Sequence, residues 1–143
     1  MDDAPPGTLN RLAGYSETPL ASKLGVRDGM TVLFLNAPPG VLEELPDSVV
    51  HRRRAGSGID VAALFETKRS SLTKKLPGLG RAIFPSGALW IAWPKRASGV
   101  PTEVDENTIR EIALPTGLVD NKVCAIDETW SGLRLVWRKE RRT

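Results

Sequence analysis

Met30-Thr31-Val32-Leu33-Phe34-Leu35 is a near-continuous apolar run that ends abruptly in Asn36-Ala37-Pro38-Pro39-Gly40. A strand with one wet face alternates apolar and polar residues. A run without alternation is what a parallel strand buried on both faces requires. Arg27-Asp28-Gly29 supplies the turn before it. Two more runs of this kind follow: Ile59-Asp60-Val61-Ala62-Ala63-Leu64-Phe65, and Ala88-Leu89-Trp90-Ile91-Ala92-Trp93, entered through Pro85-Ser86-Gly87.

The segments around these strands read as crossovers. Thr18-Pro19 predicts a helix N-cap followed by proline at the first helical position; the helix covers residues 20–24 and stops at Gly25. A short helix is expected over residues 41–45. Residues 49–52 predict a second strand near the sheet edge, because charge enters it at once. Residues 68–84 carry Leu72, Leu76, Leu79 and Ile83 at helical spacing, and Pro77-Gly78 predicts a kink or two short helices there. Residues 104–114 form an amphipathic helix with Asp105 near its start and Gly117 just past its end. Residues 119–126 and 133–137 are two last strands. The loop between them, Asp127-Glu128-Thr129-Trp130-Ser131-Gly132, allows only an antiparallel hairpin.

Strands alternating with helices imply right-handed crossovers and a mainly parallel sheet. Closed by an antiparallel pair, this α/β pattern resembles the methyltransferase-type Rossmann fold, a three-layer sandwich in which the last strand inserts beside the strand that here is residues 88–93. Pro85-Ser86-Gly87-Ala88-Leu89-Trp90 resembles that fold's entry into this strand. The resemblance implies an architecture and no activity. Gly14-Tyr15-Ser16 before Thr18-Pro19-Leu20, Trp93-Pro94-Lys95 with Ala97-Ser98-Gly99-Val100-Pro101-Thr102, and Asp127-Glu128-Thr129-Trp130-Ser131-Gly132-Leu133 together resemble a bacterial family of unknown function. That match runs over nearly the whole chain from Gly14 onward and implies no activity either.

A length of 143 residues is one domain's worth. Residues 1–13 read as a disordered lead and residues 14–143 as a single Rossmann-like domain. The net charge of +3 is mildly basic, short of a dedicated nucleic-acid binder. Cys124 is the only cysteine, so no intrachain disulfide can form. Residues 1–10 hold acids and prolines without the apolar core of a secretory signal, and no apolar run approaches the ~20 residues of a membrane span. A cytoplasmic protein with no membrane partner is expected.

Two tests bear on a nucleotide cofactor. The loop after the first strand should carry several glycines to let backbone approach the ligand. Residues 36–40 offer one, behind two prolines. The second strand should end in an acid for the ribose hydroxyls. Here it ends in His51-Arg52-Arg53-Arg54, which could meet a phosphate, or could be a solvated edge that discourages strand pairing. Together the tests argue against S-adenosylmethionine, and no cofactor is expected. His51, the only histidine, lies beside three arginines that resist an imidazolium. One Cys and one His cannot begin a zinc site, and Cys124 reads as a small core residue.

The loops at residues 95–99 and 127–132 remain. If the sheet order holds, both lie at the carboxyl edge, where ligands of open α/β sheets bind. Lys95, Ser98, Asp127, Glu128, Thr129 and Trp130, with Asn36 from the first loop, are the candidate ligand-binding residues. Arg52, Arg53 and Arg54 are weaker anion-binding candidates. The leading reading is a degenerate methyltransferase-fold domain that binds a small anionic ligand or a protein partner. The alternative is an enzyme acting on an anionic metabolite, with Lys95 and Asp127 or Glu128 as acid/base or substrate-binding groups. Nucleic-acid binding through residues 52–54 and the basic tail is the least favoured. The structural counter-reading is a clamp in which Lys95 pairs with a hairpin carboxylate and Trp130 caps the core.

Overall fold

The computed structural model describes residues 18–142; the expected lead at residues 1–13 and the Gly14-Tyr15-Ser16 string lie outside them. The order along the chain is α1 (Leu20–Leu24), β1 (Thr31–Leu35), β2 (Val50–Arg52), β3 (Val61–Phe65), α2 (Arg69–Ile83), β4 (Ala88–Pro94), α3 (Glu106–Ala113), β5 (Leu118–Ala125) and β6 (Trp130–Trp137). The six strands form one sheet in the order β2-β1-β3-β4-β6-β5. β1 pairs parallel with β2 and with β3, and β3 pairs parallel with β4. β6 runs antiparallel between β4 and β5, with Ile91 opposite Leu133 and Val123 opposite the same Leu133. This is the methyltransferase-like Rossmann arrangement, with the last strand inserted beside β4 as its resemblance implied.

The apolar runs divide their side chains between two faces, because successive residues of a strand point to opposite sides. Leu33, Leu64, Leu89, Ile91, Leu133 and Leu135 pack on one side against Leu72, Leu76, Leu79 and Ile83 of α2 and Ile109 of α3. Val32, Val61, Ala63, Phe65 and Trp90 pack on the other against Leu20 and Leu24 of α1, Val41 and Leu45. Two indoles tie the layers together. Trp90 Nε1 donates to Leu24 O at 3.0 Å, and Trp137 Nε1 donates to Gly80 O at 2.9 Å. Gly25 closes α1 in the left-handed conformation, φ 77°, and the Val26 N–H reaches back to Ala21 O at 2.8 Å.

Besides β6, which begins at Trp130 inside the stretch expected as the hairpin loop, three local expectations change. Pro19 stands at the N-cap of α1 rather than one position inside it. The helix expected over residues 41–45 is a single 3-10 turn, Leu42–Glu44; only Val41 and Leu45 of that stretch are buried, too little apolar surface to hold a longer helix. The break expected at Pro77-Gly78 does not occur: α2 runs unbroken through Pro77. A proline inside a helix costs about 3 kcal/mol. Leu72, Leu76, Leu79 and Ile83 are each buried to 2 % exposure or less, and their stripe holds both halves of α2 on one axis while the proline ring faces water. No helix among the described residues is long and apolar enough to cross a membrane.

The entry into β4 depends on Gly87. A Cβ there would stand 2.7 Å from Ile59 O and 2.9 Å from both Asp60 O and Ile83 O, all backbone atoms that cannot swing away. Gly87→Ala is expected to lower unfolding stability by about 1–3 kcal/mol. Gly56→Ala, whose Cβ would meet nothing within 4 Å, should stay within about 0.5 kcal/mol of the parent. Urea denaturation of the two variants side by side checks both; equal stability would refute the steric account.

Candidate functional site

The carboxyl edge of the sheet gathers the loops after β1, β2, β3 and β4 with the β5–β6 hairpin. From β1 the chain steps outward to β2 and then returns to β3 on the other flank of β1. The crevice between the ends of β1 and β3 is therefore the switch point. Asn36 sits at its mouth in the left-handed region, φ 61°, the only described non-glycine residue with positive φ. Its side-chain amide donates to Phe65 O at 3.3 Å, joining the ends of β1 and β3. Asparagine tolerates this conformation because its short polar side chain finds local partners. Gly40 follows at φ 92°, with open space where a Cβ would stand. Phe65 and Trp130 meet edge to face, ring centroids 5.3 Å apart, at the end of β3.

Glu66, directly after β3, is 8 % exposed. Its Oε2 accepts from the backbone N–H of Thr67 at 3.0 Å and of Lys68 at 3.1 Å; its Oε1 accepts from the Ser71 hydroxyl and lies 3.8 Å from the Lys75 ammonium. Burial alone would push this carboxyl up. The Ser71 hydroxyl, the two N–H donors and the Lys75 charge outweigh burial and hold it below its ordinary value of 4.5. Lys68, at the N-cap of α2, makes no side-chain cap, so Glu66 and Ser71 secure the start of that helix. Glu66 was not among the sequence candidates. An acid immediately past a fully apolar strand, with a serine five residues on, was the available signal.

The hairpin lies against the loop after β4. Lys95 N donates to Thr129 O at 2.7 Å, and Lys95 Nζ donates to the backbone carbonyl of Asp127 at 2.8 Å. The expected pairing of Lys95 with a carboxylate does not form. Asp127 Oδ1 is taken by the N–H groups of Thr129 at 2.8 Å and Trp130 at 2.7 Å, which fold the turn and turn its carbonyl toward Lys95. Glu128 is exposed and has no hydrogen bond or ion pair among the described residues. The Ser98 hydroxyl donates to Lys95 O at 2.7 Å and accepts from Val100 N, closing its own loop. An acid/base dyad of Lys95 with Asp127 or Glu128 is thus not assembled.

Arg52, Arg53 and Arg54 are exposed at the carboxyl end of the edge strand β2. The basic tail follows β6, which runs the opposite way, and Arg138 N donates to Gly117 O beside the start of β5. The two basic segments therefore sit at opposite ends of the sheet and on opposite edges. Burial pushes the Cys124 thiol up, against the pull of the Lys23 and Lys122 ammonium groups. That leaves it a poor nucleophile.

No family model matches the sequence, and no curated protein sequence is similar to it. Solved structures are similar in fold. A SAM-dependent methyltransferase from Aquifex aeolicus superposes with a TM-score of 0.59 at 18% identity, covering 94% of this chain and 98% of that one. The ribosomal protein L11 methylase from Lactobacillus delbrueckii subsp. bulgaricus gives 0.56 at 10% identity, over 83% and 75%. Aeropyrum pernix fibrillarin, in complex with natively bound S-adenosyl-L-methionine, gives 0.52 at 15% identity, over 90% and 73%. At these identities the likeness shows the fold. It also overturns the expectation that S-adenosylmethionine is excluded: the sheet of this chain is the one that SAM-dependent methyltransferases use. Glycine and acid spacing is a property of two short loops, whereas backbone position at the edge of β1 is set by the sheet.

A pH-dependent stability follows from Glu66. Its lowered pKa means that its contribution is full above the ordinary carboxyl value and is lost as pH falls through the folded value. Glu66→Gln should lower stability at neutral pH by about 1–3 kcal/mol and flatten the loss of stability between about pH 6 and pH 3. Urea titrations of parent and variant across that range check the sign; parallel curves would remove Glu66 from the account.

Proposed function

We propose that this protein binds S-adenosylmethionine, or its demethylated product, in the crevice between the carboxyl ends of β1 and β3, and acts as a methyltransferase-fold enzyme. One observation supports the reading: the chain reverses its strand order between β1 and β3, and Asn36, in the left-handed conformation, bridges the two strand ends at that switch point. The residues present fit the group at the loop. Asn36 and Gly40, with open space above the glycine, leave backbone free to approach a ligand, and the partly exposed Trp130, backed by the buried Phe65, offers an aromatic surface. They depart from an acidic ribose clamp at the end of β2, where Arg52 would donate to hydroxyls instead of accepting from them. The bound group would supply an electrophilic methyl; the chain would position it and exclude water.

The anionic-ligand reading loses its main support, because the Lys95 ammonium it relied on is held by the Asp127 carbonyl. The placement of the basic segments at opposite ends of the sheet gives a nucleic acid no continuous face.

Calorimetric titration of the full chain with S-adenosylmethionine and S-adenosylhomocysteine tests the proposal. Saturable binding is expected, with a stabilisation of about 2.7 kcal/mol at a ligand concentration a hundred times Kd. Arg52→Glu should change the affinity for the adenosyl ligand, and Arg138→Glu, at the far edge, should not. Absence of both heat and thermal shift at millimolar ligand would sink the reading.

A further inference from the structure

Trp93 is the last aromatic residue of β4 and is 8 % exposed. The indoles of Trp90 and Trp137 each donate to a backbone carbonyl. The Trp93 indole N–H meets no acceptor among the described residues. A buried tryptophan N–H almost always finds a partner, so one without calls for an explanation. What remains open of Trp93 lies in two adjoining hollows at the carboxyl edge. One, of about 490 Å³, runs between the loop after β4 and the approach to α3, lined by Trp93 with Arg96, Thr102, Glu103 and Asp105. The other, of about 270 Å³, follows the first turn of α3, lined by Trp93 with Asp105, Glu106, Asn107 and Arg110. Trp93 and Asp105 belong to both walls.

The polar groups of this trough are unequally satisfied. Glu103 spends Oε1 on the Arg69 N–H at 2.9 Å and keeps Oε2 without a partner. Asp105 spends Oδ1 on the N–H and hydroxyl of Thr108, capping α3, and keeps Oδ2. Those bonds from Thr108, with lesser contributions from the Asn107 N–H and the charge of Arg96, hold its carboxyl below the ordinary range against burial. Arg110 is committed to Glu106 at 3.0 Å and Asp120 at 3.2 Å. Arg96, the other cation of the lining, makes no ion pair among the described residues, and Arg69 and Lys74 flank Glu103 on a neighbouring hollow. In the lining of the trough three carboxylates, Glu103, Asp105 and Glu106, face two guanidinium groups, Arg96 and Arg110, in a chain of net charge +3, and the buried Trp93 indole forms part of its wall.

We propose that this trough binds a protonated amine whose carrier also presents a carbonyl or hydroxyl oxygen: the ammonium meets Glu103 and Asp105, and the oxygen accepts from the Trp93 indole. The ligand chemistry follows by matching. A free anion would face Glu103, Asp105 and Glu106, and the helix terminus that would otherwise attract it is already occupied by Asp105. A purely apolar ligand would leave the indole N–H and two carboxylate oxygens buried and unmet. A lysine side chain in a peptide and a free amine metabolite share the required chemistry. The trough lies outside the β1–β3 crevice, and the proposal stands whether or not S-adenosylmethionine binds there.

The indole N–H resonance of Trp93 reads the site directly in ¹⁵N-labelled full-length protein, assigned by its disappearance in Trp93→Phe. Titration with N-acetyl-lysine methylamide should move that resonance saturably, and N-acetyl-norleucine methylamide, with the same carbonyls and no ammonium, should not. Glu103→Gln combined with Asp105→Asn, which keeps an N-cap acceptor, should weaken the lysine probe about ten-fold. A pentalysine peptide binding much more tightly than the single residue assigns the amine to a polypeptide; equal affinity per amine assigns it to a small metabolite. No movement up to roughly 10 mM of either amine, ten times a millimolar Kd, overturns the proposal and leaves water as the indole's partner. Equal movement with norleucine, or movement with sodium acetate alone, overturns it as well.

Discussion

Trp90 occupies the centre of the sheet with no measurable exposure, and its ring packs closely against the neighbouring strand at Gly132. A Cβ on Gly132 of β6 would come within 3.0 Å of that ring and 2.9 Å of the Ile126 side chain. Gly132 pairs with Ala92 on one flank and Cys124 on the other. The close packing of β6 on β4 is therefore favoured by a glycine on β6 beside a large residue on β4. Burying an indole removes roughly 200 Å² from water, on the order of 5 kcal/mol at roughly 25 cal/mol per Å². The same side chain donates to Leu24 O and so fixes α1 over the sheet. One side chain thus packs against β6 and anchors the first helix.

That strand order brings the hairpin to the carboxyl edge. β5 runs parallel to β4 because α3 crosses over between them, so the turn after β5 arrives beside the loop after β4. The edge then divides into two regions of different chemistry. Over β1 and β3 lie Asn36, an open glycine and the Phe65–Trp130 pair; beyond β4 lie a buried indole and under-used carboxylates. Between them the Lys95 loop is stitched to the hairpin through backbone carbonyls. This clamp is a charge-assisted bond from an ammonium to an uncharged carbonyl, with no carboxylate partner. It leaves Glu128 outside in water.

The strands were legible almost to their ends, because burial on both faces writes itself as an uninterrupted apolar run at residues 31–35, 61–65 and 88–93. The edge position of β2 was legible from the charge at Arg52, and the hairpin from the shortness of its loop. Pro77 misled because propensity is a local quantity and the four buried residues of α2 supply a larger tertiary one. Exclusion of S-adenosylmethionine misled for a related reason: a glycine pattern is a local property of one loop, whereas the likeness to SAM-dependent methyltransferases lies in the sheet as a whole. Asn36 was among the candidates for its position, but nothing in the sequence indicated its left-handed backbone.

What the sequence determined by itself is the alternation of buried strands and amphipathic helices and the antiparallel close, since both are periodic properties of neighbouring residues along the chain. Only the tertiary structure decided where the polar atoms go. Lys95 chose a carbonyl over two nearby carboxylates, Glu66 turned back to secure α2, and Trp93 was left without an acceptor. Each outcome is a competition among donors and acceptors from segments up to tens of residues apart. Desolvation makes the winners nearly obligatory once the loops are placed, and no spacing in the chain records which groups will be placed together.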